Sequence, residues 1–293
     1  MSLLMRIESA LEDAVLRACG PACPPRLASA VRHAVFPGGA RIRPQLCLAV
    51  AKACGDDDPE LANAAAVAIE LLHCASLVHD DLPCFDDADL RRGQPTVHKA
   101  WGERLAVLGG DALIVMAFEV IGRAGAAHPR RMAQVLAAVA TGVGMPSGIV
   151  AGQAWECEPR ADLRDYQRAK TGALFTSATV CGALACGSPA EPWREFGDWL
   201  GEAYQVADDI RDVVGDPALL GKPVGQDAEH HRPSRAAELG LDGAVRYFED
   251  LVRRAQAAVP DCEGAGMLRH LVRQESLRLV PQELVPDIVR AVA

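Results

Sequence analysis

Apolar residues recur at helical period along most of the chain. Met1–Ala18 mixes charged and apolar residues as an amphipathic helix does, and Gly20-Pro21 ends it. Pro24 and Pro25 open a second helix that reaches about Val35, and Phe36-Pro37-Gly38-Gly39 forms a turn. Pro44 suits the first turn of a third helix, which runs to about Cys54 before the polar loop Gly55 to Pro59. Leu61–Asp81 is the strongest element. Its residues Val67, Leu71, Leu72, Ala75 and Val78 fall on one stripe, and Pro83 ends it or begins the loop beyond. Asp111 is expected to cap a further long helix. Arg130–Thr141, Asp162–Cys186, Pro192–Val214 and Leu241–Val259 continue the pattern, with one or two more helices near the C-terminus. No segment alternates at period two long enough to predict a strand, and no repeat or Gly/Ser/Pro-rich linker divides the chain. The expectation is an all-α fold, one domain over residues 1–293, built as a single large helical bundle.

Composition sharpens this. Of the 293 residues half are hydrophobic yet only 4% are aromatic, and an Ala- and Leu-rich chain favours closely packed helices over strands. The net charge of −9 and the lack of a long basic run argue against duplex nucleic acid as a partner. They do not exclude anionic ligands, because local fields and bound cations outweigh the total charge. The ten cysteines include no CxxC pair, and Cys74 and Cys181 lie on apolar helical stretches, so they read as reduced, buried thiols. The charged N-terminus is no secretory signal, and Leu105–Ile121, interrupted by Gly109, Gly110, Asp111 and Glu119, reads as too short and too polar for a membrane span. A cytoplasmic location is expected.

Chemistry concentrates in two acidic clusters. The first is Asp80-Asp81-Leu82-Pro83-Cys84-Phe85-Asp86-Asp87-Ala88-Asp89, followed by Leu90-Arg91-Arg92-Gly93. The second, Asp208-Asp209-Ile210-Arg211-Asp212, lies within a helix. Asp208 and Asp212 share one helix face, and like charges at that spacing destabilise a helix by a few tenths of a kcal/mol, roughly 0.2–0.5 per pair. A hard cation would offset this, and Mg²⁺ favours carboxylate oxygens shared with substrate phosphates. Arg91 and Arg92 beside the first cluster could neutralise diphosphate oxygens directly. A solvated acidic turn is the bland alternative for either cluster alone. His73 taken by itself reads as a hydrogen-bonded core histidine, Lys170 as a surface lysine, Gln205 as a packing contact, and Cys84 as a packing thiol without a base beside it.

In order and spacing, these elements resemble the trans-polyprenyl diphosphate synthases, the family of farnesyl and geranylgeranyl diphosphate synthases. The resemblance runs from about residue 36 to 235 and rests on Gly38-Gly39-Ala40-Arg41-Ile42-Arg43-Pro44, Leu72-His73-Cys74-Ala75-Ser76-Leu77-Val78-His79-Asp80-Asp81-Leu82-Pro83 and Leu90-Arg91-Arg92-Gly93. Gly110-Asp111-Ala112-Leu113, Gly152-Gln153, Lys170-Thr171-Gly172-Ala173-Leu174, Tyr204-Gln205-Val206-Ala207-Asp208-Asp209 and Gly221-Lys222 complete it.

The resemblance implies the isoprenoid synthase bundle with a deep central cavity, as a homodimer, condensing isopentenyl diphosphate with an allylic diphosphate. It implies Mg²⁺ held by Asp80, Asp81 and Asp86 and by Asp208, Asp209 and Asp212. Arg91, Lys170 and Lys222 would contact the allylic diphosphate; Arg43, His73 and Arg92 would hold isopentenyl diphosphate; Thr171 and Gln205 would lie along the reacting carbons. Such cations stabilise the charge that grows as the allylic C–O bond ionises. Three departures stand out: Ala40 replaces a usual lysine, a lost contact for which either Arg41 compensates or isopentenyl diphosphate binds more weakly; Gln226 replaces another; and Arg232 stands near the place of a third. Ala75 and Ser76, both small, would leave the product tunnel open to geranylgeranyl length, with Leu72 and Phe118 as a deeper floor. A farnesyl diphosphate synthase is the alternative of the same class. A terpene cyclase would need no second diphosphate pocket, and an inactive regulatory subunit would be expected to lose the aspartates.

Overall fold

The computed structural model describes residues 2–36, 38–160, 162–214, 234–281, 284–285 and 289. Helices α1 (Leu3–Ala18), α2 (Pro25–Val35), α3 (Ile42–Ala53) and α4 (Pro59–Asp80) follow the predicted order. After a two-residue ladder, β1 (Leu90–Arg91) with β2 (Gln94–Pro95), come α5 (Val97–Trp101) and α6 (Glu103–Ala124). Then follow α7 (Pro129–Val143), α8 (Ile149–Ala154), α9 (Leu163–Gln167), α10 (Ala173–Ala185) and α11 (Glu191–Val214). The last are α12 (Arg235–Ala257) and α13 (Ala265–Leu279).

Helix ends follow their capping chemistry. Asp58 accepts from Leu61 N (3.1 Å) at the start of α4, and Ser234 accepts from Ala237 N (3.2 Å) at the start of α12. At the centre, α4 packs on α3, α6 and α10, while α10 also meets α7 and α11. Small residues set these distances. A Cβ on Gly182 of α10 would lie 2.3 Å from the Cys47 carbonyl oxygen of α3, so the two backbones touch there. The Ala-rich composition thus becomes closely spaced helices, with Cys47, Cys74, Cys181 and Cys186 buried between them as free thiols.

Two boundaries differ from the sequence reading. Helix α6 begins at Glu103 rather than at Asp111, which lies mid-helix and exposed. The Gly109-Gly110 pair does not break it, because Gly110 makes room for His79: a Cβ there would meet His79 Nε2 at 2.1 Å. The predicted helix Asp162–Cys186 is three pieces, α9, a π turn over Arg168–Gly172, and α10. Asp162 still caps its start, accepting from Arg164 N and Asp165 N.

Both α4 and α6 are long and apolar enough to cross a membrane by length and composition alone. In α4 78% of the apolar window is buried within the bundle, which marks a core helix; in α6 the share is 39%. The outward face of α6 carries Val107, Leu108 and Val115, the last 67% exposed.

Candidate active site

Helix α4 stops at Asp80, and the chain folds back at once. Asp86 N donates to the Asp80 carbonyl (2.9 Å) and Ala88 N to that of Asp81 (3.2 Å), which returns Asp86 to the side of Asp80. A carboxylate oxygen from each of Asp80, Asp86 and Glu156 lies within 4.8 Å of the others. Glu156 comes from a 3₁₀ turn, Trp155–Cys157, that continues α8. Sequence reasoning missed it; the available signal was an acid three residues after Gln153, on the same side of a helical turn. Gln153 donates Nε2 to Asp80 Oδ1, and its own buried Oε1 has no donor among the described residues.

The two Asp-Asp pairs divide their work in the same way. Asp80 and Asp208 line a cavity of about 430 Å³. Their neighbours turn inward: Asp81 is 3% exposed and Asp209 1%. Asp81 holds Arg91, whose Nη2 and Nε lie 2.5 and 3.0 Å from its Oδ1. Asp209 accepts from Gln205 Nε2 (2.9 Å), Gln167 Nε2 (3.3 Å) and the Arg235 backbone N–H (2.7 Å). Burial raises the pKa of both acids, while these donors pull the other way. Asp212 lies off the cavity wall.

Cations line the same cavity. Leu90-Arg91 and Gln94-Pro95 pair around Arg92 (φ 54°) and Gly93 (φ 74°), a two-residue hairpin turn that needs positive φ at both positions. Holding Arg92 left-handed costs about 1 kcal/mol, and it aims the guanidinium at Gly39, where a Cβ would lie 2.9 Å from Arg92 Cζ. Arg43, 9% exposed on the first turn of α3, has Nη1 3.4 Å from His73 Nε2. Burial, then Arg43 and Arg92, hold the His73 pKa well below its usual value, so its ring is neutral at pH 7.

This shift has a measurable sign. Below about 6.5 the unfolded chain takes up a proton at this histidine that the folded chain refuses, so stability falls as pH falls towards the folded pKa. His73→Gln is expected to remove that part of the acid limb. Urea unfolding at pH 7 and pH 5 tests it: the loss of stability between them should be smaller in the variant than in the wild type.

The π turn presents the third group. It carries Lys170, whose Nζ lies 2.5 Å from Glu156 Oε1 and 3.7 Å from Asp80 Oδ1, and Thr171, whose hydroxyl donates to Gln205 Oε1 (2.6 Å). Gly152 explains why α8 can lie against this turn: a Cβ there would meet the Lys170 backbone at 2.4 Å.

Of the expected residues, Arg43, His73, Ser76, Asp80, Arg91, Arg92, Lys170, Thr171, Gln205 and Asp208 line one cavity. Asp86 joins them through Asp80. Asp81 and Asp209 stand behind it as anchors, and Arg91, although on the wall, is engaged by Asp81. Ser76 faces the cavity, whereas Ala75 is 1% exposed in the core. Lys222, Gln226 and Arg232 lie outside the described residues.

The Polyprenyl synthetase family model matches residues 24–262. The chain belongs to this family. As a polyprenyl synthetase it is 55% identical to the geranylgeranyl diphosphate synthase of Cereibacter sphaeroides, over 98% of this chain and 100% of that one. It is 49% identical to the geranylgeranyl diphosphate synthase of Rhodobacter capsulatus, over 93% and 94% of the two chains. Among solved structures it is similar to the geranyltransferase of Helicobacter pylori complexed with magnesium and isoprenyl diphosphate, with 28% identity, a TM-score of 0.78 and 95% and 98% coverage.

One departure of this polyprenyl synthetase now has a structural answer. Arg41 does not replace the charge missing at Ala40. Its guanidinium is buried against Glu70 (2.6 Å), Glu8 of α1 (2.8 Å) and the Val35 carbonyl (2.8 Å). Gly38 seats it, since a Cβ there would overlap Arg41 Cζ at 2.0 Å. Arg41 therefore braces the glycine turn and ties α1 to α3 and α4.

Proposed function

We propose that this polyprenyl synthetase condenses isopentenyl diphosphate with dimethylallyl, geranyl and farnesyl diphosphates, releases diphosphate, and makes geranylgeranyl diphosphate as its main product. The observation that carries the reading is one cavity lined both by carboxylates, Asp80 and Asp208, and by cations, Arg43 and Arg92. The names of the two bacterial relatives support the product.

The donor set fits Mg²⁺: Asp80, Asp86 and Glu156 bring hard oxygens within 4.8 Å of one another, Asp208 lines the same cavity, and the acceptor Oε1 of Gln153 has no donor among the described residues. When bound, Mg²⁺ stabilises negative charge on the departing diphosphate as a Lewis acid. Lys170, close to Asp80, adds a fixed cation on that side. Arg43, His73 and Arg92 hold the second diphosphate, which a cyclase would not require. The Thr171–Gln205 hydrogen bond, anchored through Asp209, fixes the wall between the two halves. The proton lost from the isopentenyl carbon passes to the released diphosphate.

The reading also places the protein in the cytoplasm, as a homodimer. The outward face of α6 supports the dimer, because Leu108 and Val115 are apolar, exposed and on one stripe. Val115→Glu is expected to give monomers in light scattering; an unchanged mass would place the interface elsewhere.

The test of function is direct. The purified chain is incubated with Mg²⁺, isopentenyl diphosphate and each allylic starter in turn, and products are sized by chromatography. Twenty-carbon product from all three starters is expected. A fifteen-carbon end product would make it a farnesyl diphosphate synthase, and no diphosphate release would overturn the assignment.

A further inference from the structure

A cation that the family resemblance does not assign shares this cavity. Arg211, on α11 three residues past Asp208, lines the wall. Its Cζ lies 5.5 Å from the centroid of the Tyr204 ring, and Arg43 Cζ lies 5.4 Å from the same centroid. Tyr204 thus joins a guanidinium from α11 to one from α3. Arg43 lies also 4.5 Å from the Phe175 centroid, so its place is fixed by aromatic rings as well as by His73.

Both arginines carry a buried Nε–H without an acceptor among the described residues. These Nε atoms are sealed from the cavity, but Arg43 uses Nη1 toward His73 and Arg211 uses Nη2 toward Asp208, and an anion with several oxygens in the shared cavity would bridge remaining N–H groups of the two guanidiniums. Ala40 brings no charge to this side, and Arg41 is occupied by Glu8 and Glu70. We propose that Arg211 is a binding residue for the isopentenyl diphosphate, which it grips together with Arg43 across Tyr204. This rests on the prenyl-transfer reading above. It means that the second acidic cluster serves both halves of the site, with Asp208 turned to the metal and allylic side and Arg211 to the other diphosphate.

Arg211 Nη2 also donates to Asp208 Oδ1 at 2.9 Å. A purely structural arginine would do only this, and the two roles separate by experiment. Isopentenyl diphosphate is titrated calorimetrically into wild-type protein, R211L and R211K, each with Mg²⁺ and a non-ionising thio analogue of the allylic diphosphate. Loss of a charge-assisted contact of this kind is expected to raise the isopentenyl diphosphate Kd about 10–100-fold in R211L. R211K, which keeps the charge but not the fork, should recover part of it. The analogue should bind R211L as tightly as it binds the wild type. Should R211L fail to fold, R211K carries the test, with a rise of roughly 3–10-fold expected. An unchanged isopentenyl diphosphate Kd, with weaker Mg²⁺ or analogue binding, would show that Arg211 only holds Asp208 and would overturn the inference. Failure of the wild type to form any product would instead overturn the prenyl-transfer reading.

Discussion

Asp80→Asn is expected to lower turnover on the order of 10³-fold without lowering Tm, while Asp81→Asn lowers Tm and affects turnover through stability. Residues next to each other in sequence are given opposite outcomes because their surroundings differ. Asp80 faces Asp86 and Glu156, three carboxylates within 4.8 Å, with Gln153, Lys170 and the Tyr166 hydroxyl among the donors beside them. Replacing one of them by an amide relieves repulsion and keeps the acceptor for Gln153, so the fold loses nothing. On the proposed reading it removes a charged ligand oxygen where diphosphate charge develops, and one such preorganised contact is worth about 10²–10³-fold in rate. Asp81 instead neutralises Arg91 from a buried position. Taking that partner away leaves a guanidinium with poor solvation, which is the more costly way to break a buried pair. The measurements are steady-state turnover against Mg²⁺ concentration, with thermal unfolding of the same samples. Equal losses of turnover in both variants, with equal Tm, would remove the division of labour within the pair.

That division was not legible in the sequence, and the reason is physical. A doublet of aspartates at a helix end announces charge that needs a partner, but both members are chemically alike. Which one points at solvent depends on the rotation of each helix and on where Arg91 of β1 and the Arg235 backbone at the start of α12 come to lie. The helices themselves were readable because each carries its own period and stop signals; α4 ends at Asp80 as the Pro83 pattern implies. The Asp111 cap was wrong because a glycine pair looks like a break until His79 is seen to need the space. Glu156 and Arg211 escaped for the converse reason. Each is an ordinary charged residue in its own segment, and only the approach of the turn after α8 to Asp80, and of Arg43 of α3 to Tyr204 of α11, brings it to the site. Whether Arg41 makes good the charge absent at Ala40 stays open in the sequence, because sequence cannot show Glu8 reaching it from α1.

Ser76→Phe is expected to shorten the main product by at least one five-carbon unit. Ser76 lies one turn before Asp80 on the face of α4 that lines the cavity, next to Leu77. On the proposed reading a growing chain anchored by its diphosphate beside Asp80 runs past this position, and a phenyl ring there fills volume the next unit would occupy. Burial of apolar surface does not favour one chain length over another once the space is gone, so the effect appears in product size rather than in affinity for short starters. Ala75 examines the same path from behind. Its side chain is sealed in the core at 1% exposure, so Tyr at that place must displace neighbours, an overpacking that costs about 1–3 kcal/mol. Both variants are expected to give a shorter product, with a lower Tm in Ala75→Tyr alone. Twenty-carbon product from Ser76→Phe, made at the wild-type rate, would mean that the chain leaves the cavity by another wall and that neither residue measures it.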